Sequence, residues 1–306
     1  MEKPRSALSE KGTAYLLALL CCALWGSAFP AIKIGYRLLQ IDSADTPSLI
    51  LFAGCRFLLA GLIGLLLLLV TGHSIKPKKE AASGILMIAF LQTVVQYFFF
   101  YVGLAHTSGV KASVLSASNV FFIILISACL FRQERLSAGK MIGCVFGFLG
   151  VLLVNLEGLE LKFNLLGDGF MVISAIAYSL SSVLVKTYSA KEDPVVITAY
   201  QFLLGGAGLA AAGILSGGGF GAFPAAGAAI LLYLACTASV TYSLWGLLLK
   251  HHPVSRIAPF DFFNPVVGVI LSALLLKESI GLGWQIFAAL ALVSIGIVIV
   301  NRKVKE

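Results

Sequence analysis

Charged residues are scarce in this chain of 306 residues: they make up only 12% of it, whereas hydrophobic residues make up 59%. A soluble domain carries about a quarter charged residues, so the composition argues against a soluble protein. Long polar loops are missing as well, which leaves no room for a separate soluble domain. With a mean hydropathy of +0.98, the chain is predicted to be a polytopic membrane protein.

Sequence patterns for metal binding, disulfide bonds, ATP-driven pumping and nucleic-acid binding are also missing. No Gly-x-x-x-x-Gly-Lys-Ser/Thr sequence occurs, so direct ATP coupling through a phosphate-binding loop is not expected. No basic stripe lies on a soluble domain, so a nucleic-acid partner is not expected either. The cysteines lack ligand spacing and behave as small hydrophobes, so we expect no metal and no cofactor. All six lie in apolar stretches: Cys21, Cys22, Cys55, Cys129, Cys144 and Cys236.

What the chain has instead is a series of long apolar stretches, and a stretch of roughly 17–25 such residues spans a bilayer as a helix. The first stretch follows basic residues as a signal peptide does, but it is too long and leads into nine more, so we interpret it as a helix. Strands of a β-barrel would alternate over about ten residues, and these stretches do not. Ten spans are predicted, at 14–35, 48–70, 84–104, 108–131, 136–155, 167–187, 194–215, 226–249, 253–276 and 280–300.

Basic residues are concentrated in alternate loops. If the N-terminus is cytoplasmic, 16 Lys and Arg residues lie in or beside cytoplasmic loops and 4 lie outside, while Lys33 and Arg56 fall within spans. Because Lys and Arg accumulate in cytoplasmic loops, both termini are predicted to be cytoplasmic. The net charge of +8 then reflects attraction to the anionic inner leaflet.

The chain also reads as two copies of one pattern. A shift of 145 positions places Tyr97 on Tyr242 and Asn119 on Asn264. Each copy holds five spans, and an odd number reverses the orientation of the second copy. Inverted repeats are common in secondary transporters, whose binding sites lie near the bilayer midplane.

The predicted fold class is therefore an all-α membrane protein with ten transmembrane helices in two inverted five-helix repeats. Its predicted parts are a cytoplasmic tail (1–13), a first repeat (14–155), an external linker (156–166), a second repeat (167–300) and a cytoplasmic tail (301–306).

Several short motifs occur in the order typical of one family. The segment Ala23–Pro30 (Ala-Leu-Trp-Gly-Ser-Ala-Phe-Pro), with Lys33 after it, resembles the opening of the EamA branch of the drug/metabolite transporter superfamily. Further matches are Arg56-Phe57 in the second span, Glu134-Arg135-Leu136 closing the fourth, and Asn264-Pro265 with Lys277-Glu278 closing the ninth.

The resemblance covers the whole chain and implies a transporter of amino acids, related metabolites or drugs, usually outward. Two features depart from the family pattern. Asn119-Val120 stands where the family usually has a proline, although the second copy keeps Asn264-Pro265. Asp261 is not a family-wide feature, so it bears on which substrate class this chain takes.

Polar and aromatic residues in the middle of the spans are the candidate binding site. Polar groups within hydrocarbon are costly, so they face a bundle interior or a water-filled path. For a single Ser or Thr the alternative is a bond to a backbone carbonyl, and for an aromatic residue it is a belt at the membrane surface, which fits Tyr101. Eight residues are expected to surround one central pathway and bind the substrate: Trp25, Tyr97, Asn119, Tyr178, Tyr242, Trp245, Asp261 and Asn264.

Asp261 is the most specific of these candidates. It lies about 12 Å inside the cytoplasmic end of the ninth span at about 1.5 Å per residue, where a carboxylate must be protonated or face water or a cation. Its repeat counterpart is Ser116, so the fold does not require the charge. The alternative is a local bond to Arg256 or to a hydroxyl on a neighbouring helix.

We therefore interpret the chain as a secondary transporter in the cell membrane, an exporter of small metabolites such as amino acids or amines that works by alternating access. Proton coupling and binding of a cationic substrate are both open roles for Asp261. The alternative function is a membrane-embedded enzyme that modifies a lipid-linked substrate, which needs a reactive constellation. The sequence offers none beyond Asp261 and His251-His252, so we expect no catalytic residue. The expected partners are a small molecule and membrane lipids, with a monomer and a homodimer both open.

Overall fold

A computed structural model describes residues 10–42, 44–107, 115–154, 163–276 and 284–301. These residues form helices joined by loops, with no strand among them. The predicted tails and the predicted linker 156–166 lie largely outside the described residues. We number the helical stretches in chain order: α1 (Lys11–Leu39), α2 (Thr46–Val70), α3 (Lys79–Ile88, Ala89–Val95 and Gln96–Ala105), α4 (Asn119–Leu125 and Ile126–Leu130), α5 (Ala138–Val154), α6 (Leu165–Gly169 and Phe170–Ser189), α7 (Pro194–Leu215), α8 (Ala225–His251), α9 (Val254–Ile257, Ala258–Phe262 and Phe263–Leu276) and α10 (Trp284–Asn301).

Most of these helices have the length and composition of membrane spans. Seven of those in the described residues are long and apolar enough to cross a bilayer, namely α1, α2, α3, α6, α7, α8 and α9. Shorter apolar helices cover Leu115–Leu130, Ala138–Leu153 and Phe287–Asn301. The prediction of an all-helical membrane protein is confirmed. The count of ten spans and their inverted symmetry stay predictions.

Two helices begin with an aspartate whose side chain caps the first turn. The Asp45 side chain accepts a hydrogen bond from the backbone of Ser48 at the start of α2 (3.3 Å). Asp193 accepts one from the backbone of Val195 at the start of α7 (2.9 Å). Each cap satisfies one of the N–H groups that a helix leaves unpaired at its start. A proline also stands in the first turn of both helices, where its missing N–H costs little.

Three helices are irregular where they pass the centre of the bundle. Residues Ala89–Val95 of α3 are wound as a π-helix, and Ala258–Phe262 of α9 as a 3₁₀-helix that contains Pro259. Helical winding in the fourth span is interrupted by a turn at Ser118, although no proline stands there. The absence of a proline therefore does not make this helix regular. Such local changes of winding often occur at functional sites.

The packing places six helices around a common centre. α1 packs against α8 and α9, while α6 packs against α3 and α4. On the outside of these helices, α2 lies along α7, and α5 lies along α10. The hydroxyl of Tyr15 in α1 donates to the side-chain oxygen of Asn301 in α10 (3.0 Å). We call the end of the bundle that holds these two residues the near end, and the opposite end the far end.

The contact between α2 and α7 depends on glycine, which gives a first prediction. A Cβ atom at Gly206 would lie 2.6 Å from the backbone nitrogen of Leu58, too close to fit without moving α2. We expect Gly206→Ala to reduce the stability by about 1–3 kcal/mol, as overpacking does, and to lower the Tm of the purified protein. Gly208→Ala in the same helix is the control, because its Cβ would meet only Val94, at 3.5 Å. Equal Tm values for the two variants would contradict the close approach of α2 and α7.

Candidate functional site

A cavity of about 150 Å³ lies where the six central helices meet α2. On α1 its wall includes Trp25, Phe29 and Ile32, which run from the middle of the helix toward the far end. On α9 it includes Asp261, in the irregular turn, and Asn264. The cavity therefore extends from the middle of the bundle toward the far end.

The structure brings together seven of the eight residues expected at the site. The residues that line the cavity are Trp25, Tyr97, Asn119, Tyr178, Tyr242, Asp261 and Asn264. Trp245 does not line it. Its ring packs behind that of Trp25, with centroids 4.9 Å apart, and it lines a smaller cavity on the near-end side. That these residues bind a substrate stays a prediction.

Aromatic rings form the near-end wall of the cavity. The hydroxyl groups of Tyr97 and Tyr242, which occupy equivalent positions in the two sequence copies, are 3.0 Å apart and hydrogen-bonded. The ring of Trp25 meets that of Tyr242 edge to face, with centroids 5.3 Å apart. The indole N–H of Trp25 is buried and has no hydrogen-bond partner among the described residues. A buried donor without a partner is costly, so this N–H is available to a ligand or a water molecule.

A carboxylate also lines the cavity. Asp261 is only 6% exposed, and the side-chain nitrogen of Asn119 donates a hydrogen bond to it (3.1 Å). Tyr178 lies close enough to interact with the same carboxylate. The side-chain oxygens of Asn119 and Asn264 are buried, with no partner among the described residues. Together these groups offer several oxygen acceptors, the chemistry that holds an ammonium group or a proton.

The alternative pairing of Asp261 with Arg256 is not what the structure shows. Residues five apart in sequence lie on different faces of a helix, and Asn119 of α4 occupies the face to which Asp261 points. The second alternative, a hydroxyl on a neighbouring helix, holds in part, because Tyr178 of α6 also lies near the carboxylate.

A positive charge lines the same cavity. Arg56 of α2 is 3% exposed, its Nε donates to the backbone oxygen of Leu234 (3.4 Å), and its guanidinium lies 5.1 Å from the centre of the Phe57 ring. The sequence left the role of this arginine open. Its position beside the cavity gives the site one buried acid and one buried base.

Some cavity residues were not in the predicted set. Tyr101 was assigned to a belt at the membrane surface, but this is wrong, because it is 3% exposed and lines the cavity. It lies four residues after Tyr97 and so shares its helix face. In the same way, Phe29 and Ile32 lie four and seven residues after Trp25. Helical spacing from the predicted residues would have found all three.

Comparisons with known proteins agree with the geometry. A profile of the EamA-like transporter family matches residues 12–156 and 165–301. An uncharacterized transporter of Archaeoglobus fulgidus is 28% identical over 295 residues, which cover 94% of this chain and 99% of that protein. The transporter YvbV of Bacillus subtilis is 27% identical over 97% of this chain and 94% of its own length.

Two further likenesses bear on function and fold. A probable amino-acid metabolite efflux pump of Escherichia coli is 27% identical, covering 86% of this chain and 87% of that protein. A protein of known crystal structure matches with a TM-score of 0.76 at 17% identity, covering 95% of this chain and 97% of the other. At this identity the likeness shows the fold alone.

Neighbouring positions on α3 give a test of the cavity. We expect Tyr97→Cys to react with a water-soluble maleimide, because Tyr97 lines the cavity. Phe98→Cys should not react, because this residue is 42% exposed on the outer surface of the bundle, where lipid would cover it. Labelling rates of both variants in membranes, measured against the parent protein, decide the question. Reaction of Phe98→Cys but not of Tyr97→Cys would mean that the cavity is not a water-filled path.

Proposed function

This chain belongs to the EamA-like transporter family, and we propose that it is a secondary transporter that exports small metabolites such as amino acids or amines by alternating access. The observation that carries the proposal is the central cavity, in which Asp261 and its partner Asn119 face a set of aromatic rings. The alternative of an enzyme acting on a lipid-linked substrate is set aside, because the family and the similar proteins are transporters.

Many transporters that work by alternating access are built from two inverted repeats, and the packing supports such symmetry here. If α1 to α5 correspond to α6 to α10, the contacts of α1 with α8 and α9 have counterparts in those of α6 with α3 and α4. The contact of α2 with α8 likewise has its counterpart in that of α7 with α3, and the contacts of α2 with α7 and of α5 with α10 join helices that correspond to one another. This pattern is expected of two inverted five-helix repeats around a midplane site.

The charges of the cavity support a substrate with an ammonium group. A buried carboxylate attracts a cation strongly, because the surroundings have a low dielectric constant. Aromatic faces such as those of Trp25 and Tyr242 also attract cations. Arg56 at the same cavity offers a partner for a carboxylate, so the site suits an amino acid as well as an amine. A relative of this chain carries the name of an amino-acid metabolite efflux pump.

Asp261 also supports coupling to protons. If the carboxylate binds a proton in one state and a substrate cation in the other, the two exchange at one site. Export of the cation would then be driven by the entry of the proton. Proton coupling and direct substrate binding both depend on Asp261, so a substitution of this residue tests both roles.

Replacing the two buried charges separates the substrate classes. We expect Asp261→Asn to weaken the binding of ammonium ligands about tenfold or more, since a hydrogen bond to a charged group is lost, and to make transport independent of the pH gradient. Arg56→Gln should weaken only ligands that carry a carboxylate. Ligand-induced rises in Tm measure the affinities, with amines and amino acids as probes. Asp42→Asn and Arg37→Gln, which change exposed charges, are the controls. Wild-type binding and pH dependence in Asp261→Asn would exclude both roles of this residue.

The distribution of basic residues gives a prediction of orientation. The near end should be cytoplasmic, because the loop that contains Lys78 belongs to the set rich in Lys and Arg. Reporter fusions at Lys78 and at Asn164, which lies at the far end, should report opposite sides of the membrane, with Lys78 inside. The same side for both fusions would overturn the topology.

A further inference from the structure

A second, smaller cavity lies on the near-end side of the aromatic wall. Its volume is about 10 Å³, and its lining includes Gln92 of α3, Ser182 of α6 and Gln201 of α7. We call these three residues and the space between them the polar chamber. Tyr242 lines the polar chamber and the central cavity alike, so its side chain forms part of the wall between the two spaces.

The polar groups of the chamber are buried, and two of them have an oxygen without a partner. Gln92, Ser182 and Gln201 are 3%, 2% and 1% exposed. The side-chain oxygens of Gln92 and Gln201 have no hydrogen-bond partner among the described residues, whereas the Ser182 hydroxyl lies close enough to Tyr178 to interact with it. A buried polar atom without a partner is unfavourable, and a space of about 10 Å³ holds one water molecule at most. Hydrophobic side chains would fill this region better if it were only a packed core.

A lysine lies on the near-end side of the chamber. Lys186 is one helical turn beyond Ser182 on α6, and its Nζ donates hydrogen bonds to the backbone oxygens of Leu249 (2.7 Å) and His252 (2.6 Å). These oxygens stand at the end of α8, where a helix leaves its carbonyl groups unpaired and a positive charge is favourable. The Leu249 side chain lines the chamber itself. Lys186 therefore ties α6 to α8 at the near-end boundary of the chamber.

Further polar bonds at this level hold the ends of α4 and α9. The side-chain nitrogen of Gln133 donates to the hydroxyl of Thr187, next to Lys186 (2.8 Å). The Glu134 carboxylate accepts bonds from the backbone and the hydroxyl of Ser255 and from Lys140 Nζ (3.0 Å). Burial opposes ionisation of Glu134, but the bonds from Ser255 and Lys140 outweigh it and hold the pKa of this carboxyl below its ordinary value.

We propose that the polar chamber is the near-end half of the translocation path in its closed state, and that Lys186 is the positioning residue that keeps it closed. In the alternate state the bonds of Lys186 to α8 break, and α6 and α8 separate. Water then reaches the unpaired oxygens of the chamber. This inference rests on the proposed function for the existence of two alternating states, but not for the identity of the substrate.

Two cysteine substitutions test the proposal in the full-length purified protein. The first, Ser182→Cys, measures how accessible the polar chamber is to a water-soluble reagent, and we call it the chamber reporter. The second, Ile32→Cys, measures the same for the far-end wall of the central cavity, and we call it the far-end reporter. With Lys186 intact, a water-soluble maleimide should label the chamber reporter slowly and the far-end reporter quickly. In Lys186→Met we expect labelling of the chamber reporter to rise about tenfold or more, because two bonds from a charged donor are lost. Labelling of the far-end reporter should fall, since opening one end closes the other.

A rise in the labelling rate of the chamber reporter together with a fall in that of the far-end reporter distinguishes a gate from a structural contact. A rise at both reporters would mean that Lys186 only holds the fold together, and this result would overturn the proposal. No change at the chamber reporter would also overturn it. Lys250→Met, which alters an exposed lysine at the end of α8, is the matched control and should change neither rate. If Lys186→Met does not fold, Lys186→Gln replaces it, because its amide keeps a neutral donor. This variant should raise the labelling rate of the chamber reporter severalfold. An unchanged rate would contradict the proposal in the same way.

The same reporters separate this inference from the proposed function. The labelling rates need no ligand, so they measure the gate even if the substrate class is wrong. Intact ligand binding with unresponsive reporters would contradict the gate alone. Responsive reporters in a protein that binds neither amines nor amino acids would contradict the central site alone.

Discussion

Inside a lipid bilayer no water satisfies polar groups, so each buried polar group must find its partner within the protein. Helices meet this requirement for the backbone, and two serines of α6 meet it by bonding to neighbouring helices. Ser174 donates to the backbone oxygen of Gln96 (2.9 Å) and Ser179 to that of Asn119 (3.0 Å). These hydroxyls fix α6 against α3 and α4. Four side chains with an unpaired polar atom border the central cavity, namely Trp25, Gln96, Asn119 and Asn264. These four atoms are therefore available to a ligand, whereas the paired serines hold the helices together.

The two buried charges follow the same logic. Asp261 accepts a hydrogen bond from Asn119 and lies beside Tyr178. Arg56 donates to a backbone oxygen, lies near the Phe57 ring and interacts with Tyr101. Neither set of contacts replaces a full hydration shell, and charge is more costly to leave unsatisfied than a neutral group. A solute that carries charges of both signs compensates both residues at once. Solutes with one charge compensate only one of them, which is a physical basis for selection at this site.

Many of the residues that line the cavity could be predicted from the sequence. Polar groups are costly in hydrocarbon, so polar residues in a span indicate the helix face that points inward. The repeat of Tyr97 at Tyr242 indicates the same inward face on α3 and α8. Other features depend on neighbours that the sequence does not reveal. A helix pattern indicates which residues share a face, but not which helix lies opposite, so the bond of Asn119 to Asp261 could not be predicted. Depth is also hidden: Trp245 lies three residues beyond Tyr242 on a similar face, yet nearly one turn closer to the near end. It therefore lines the next space along the path.

The chemistry of the near end fits a contact that must break repeatedly. A buried pair of opposite charges is costly to separate, because each charge is left without its partner in a medium of low dielectric constant. Lys186 makes its hydrogen bonds to backbone oxygens at the end of α8, close to the end of the bundle, and its interaction with Glu134 is electrostatic, with no ion pair between them among the described residues. When that end opens, the ammonium group and the carbonyl groups both exchange their mutual bonds for bonds to water. The net contribution of such bonds is small compared with their gross strength. Bonds with a small net contribution stabilise the closed state enough to populate it, and they can still break in each transport cycle.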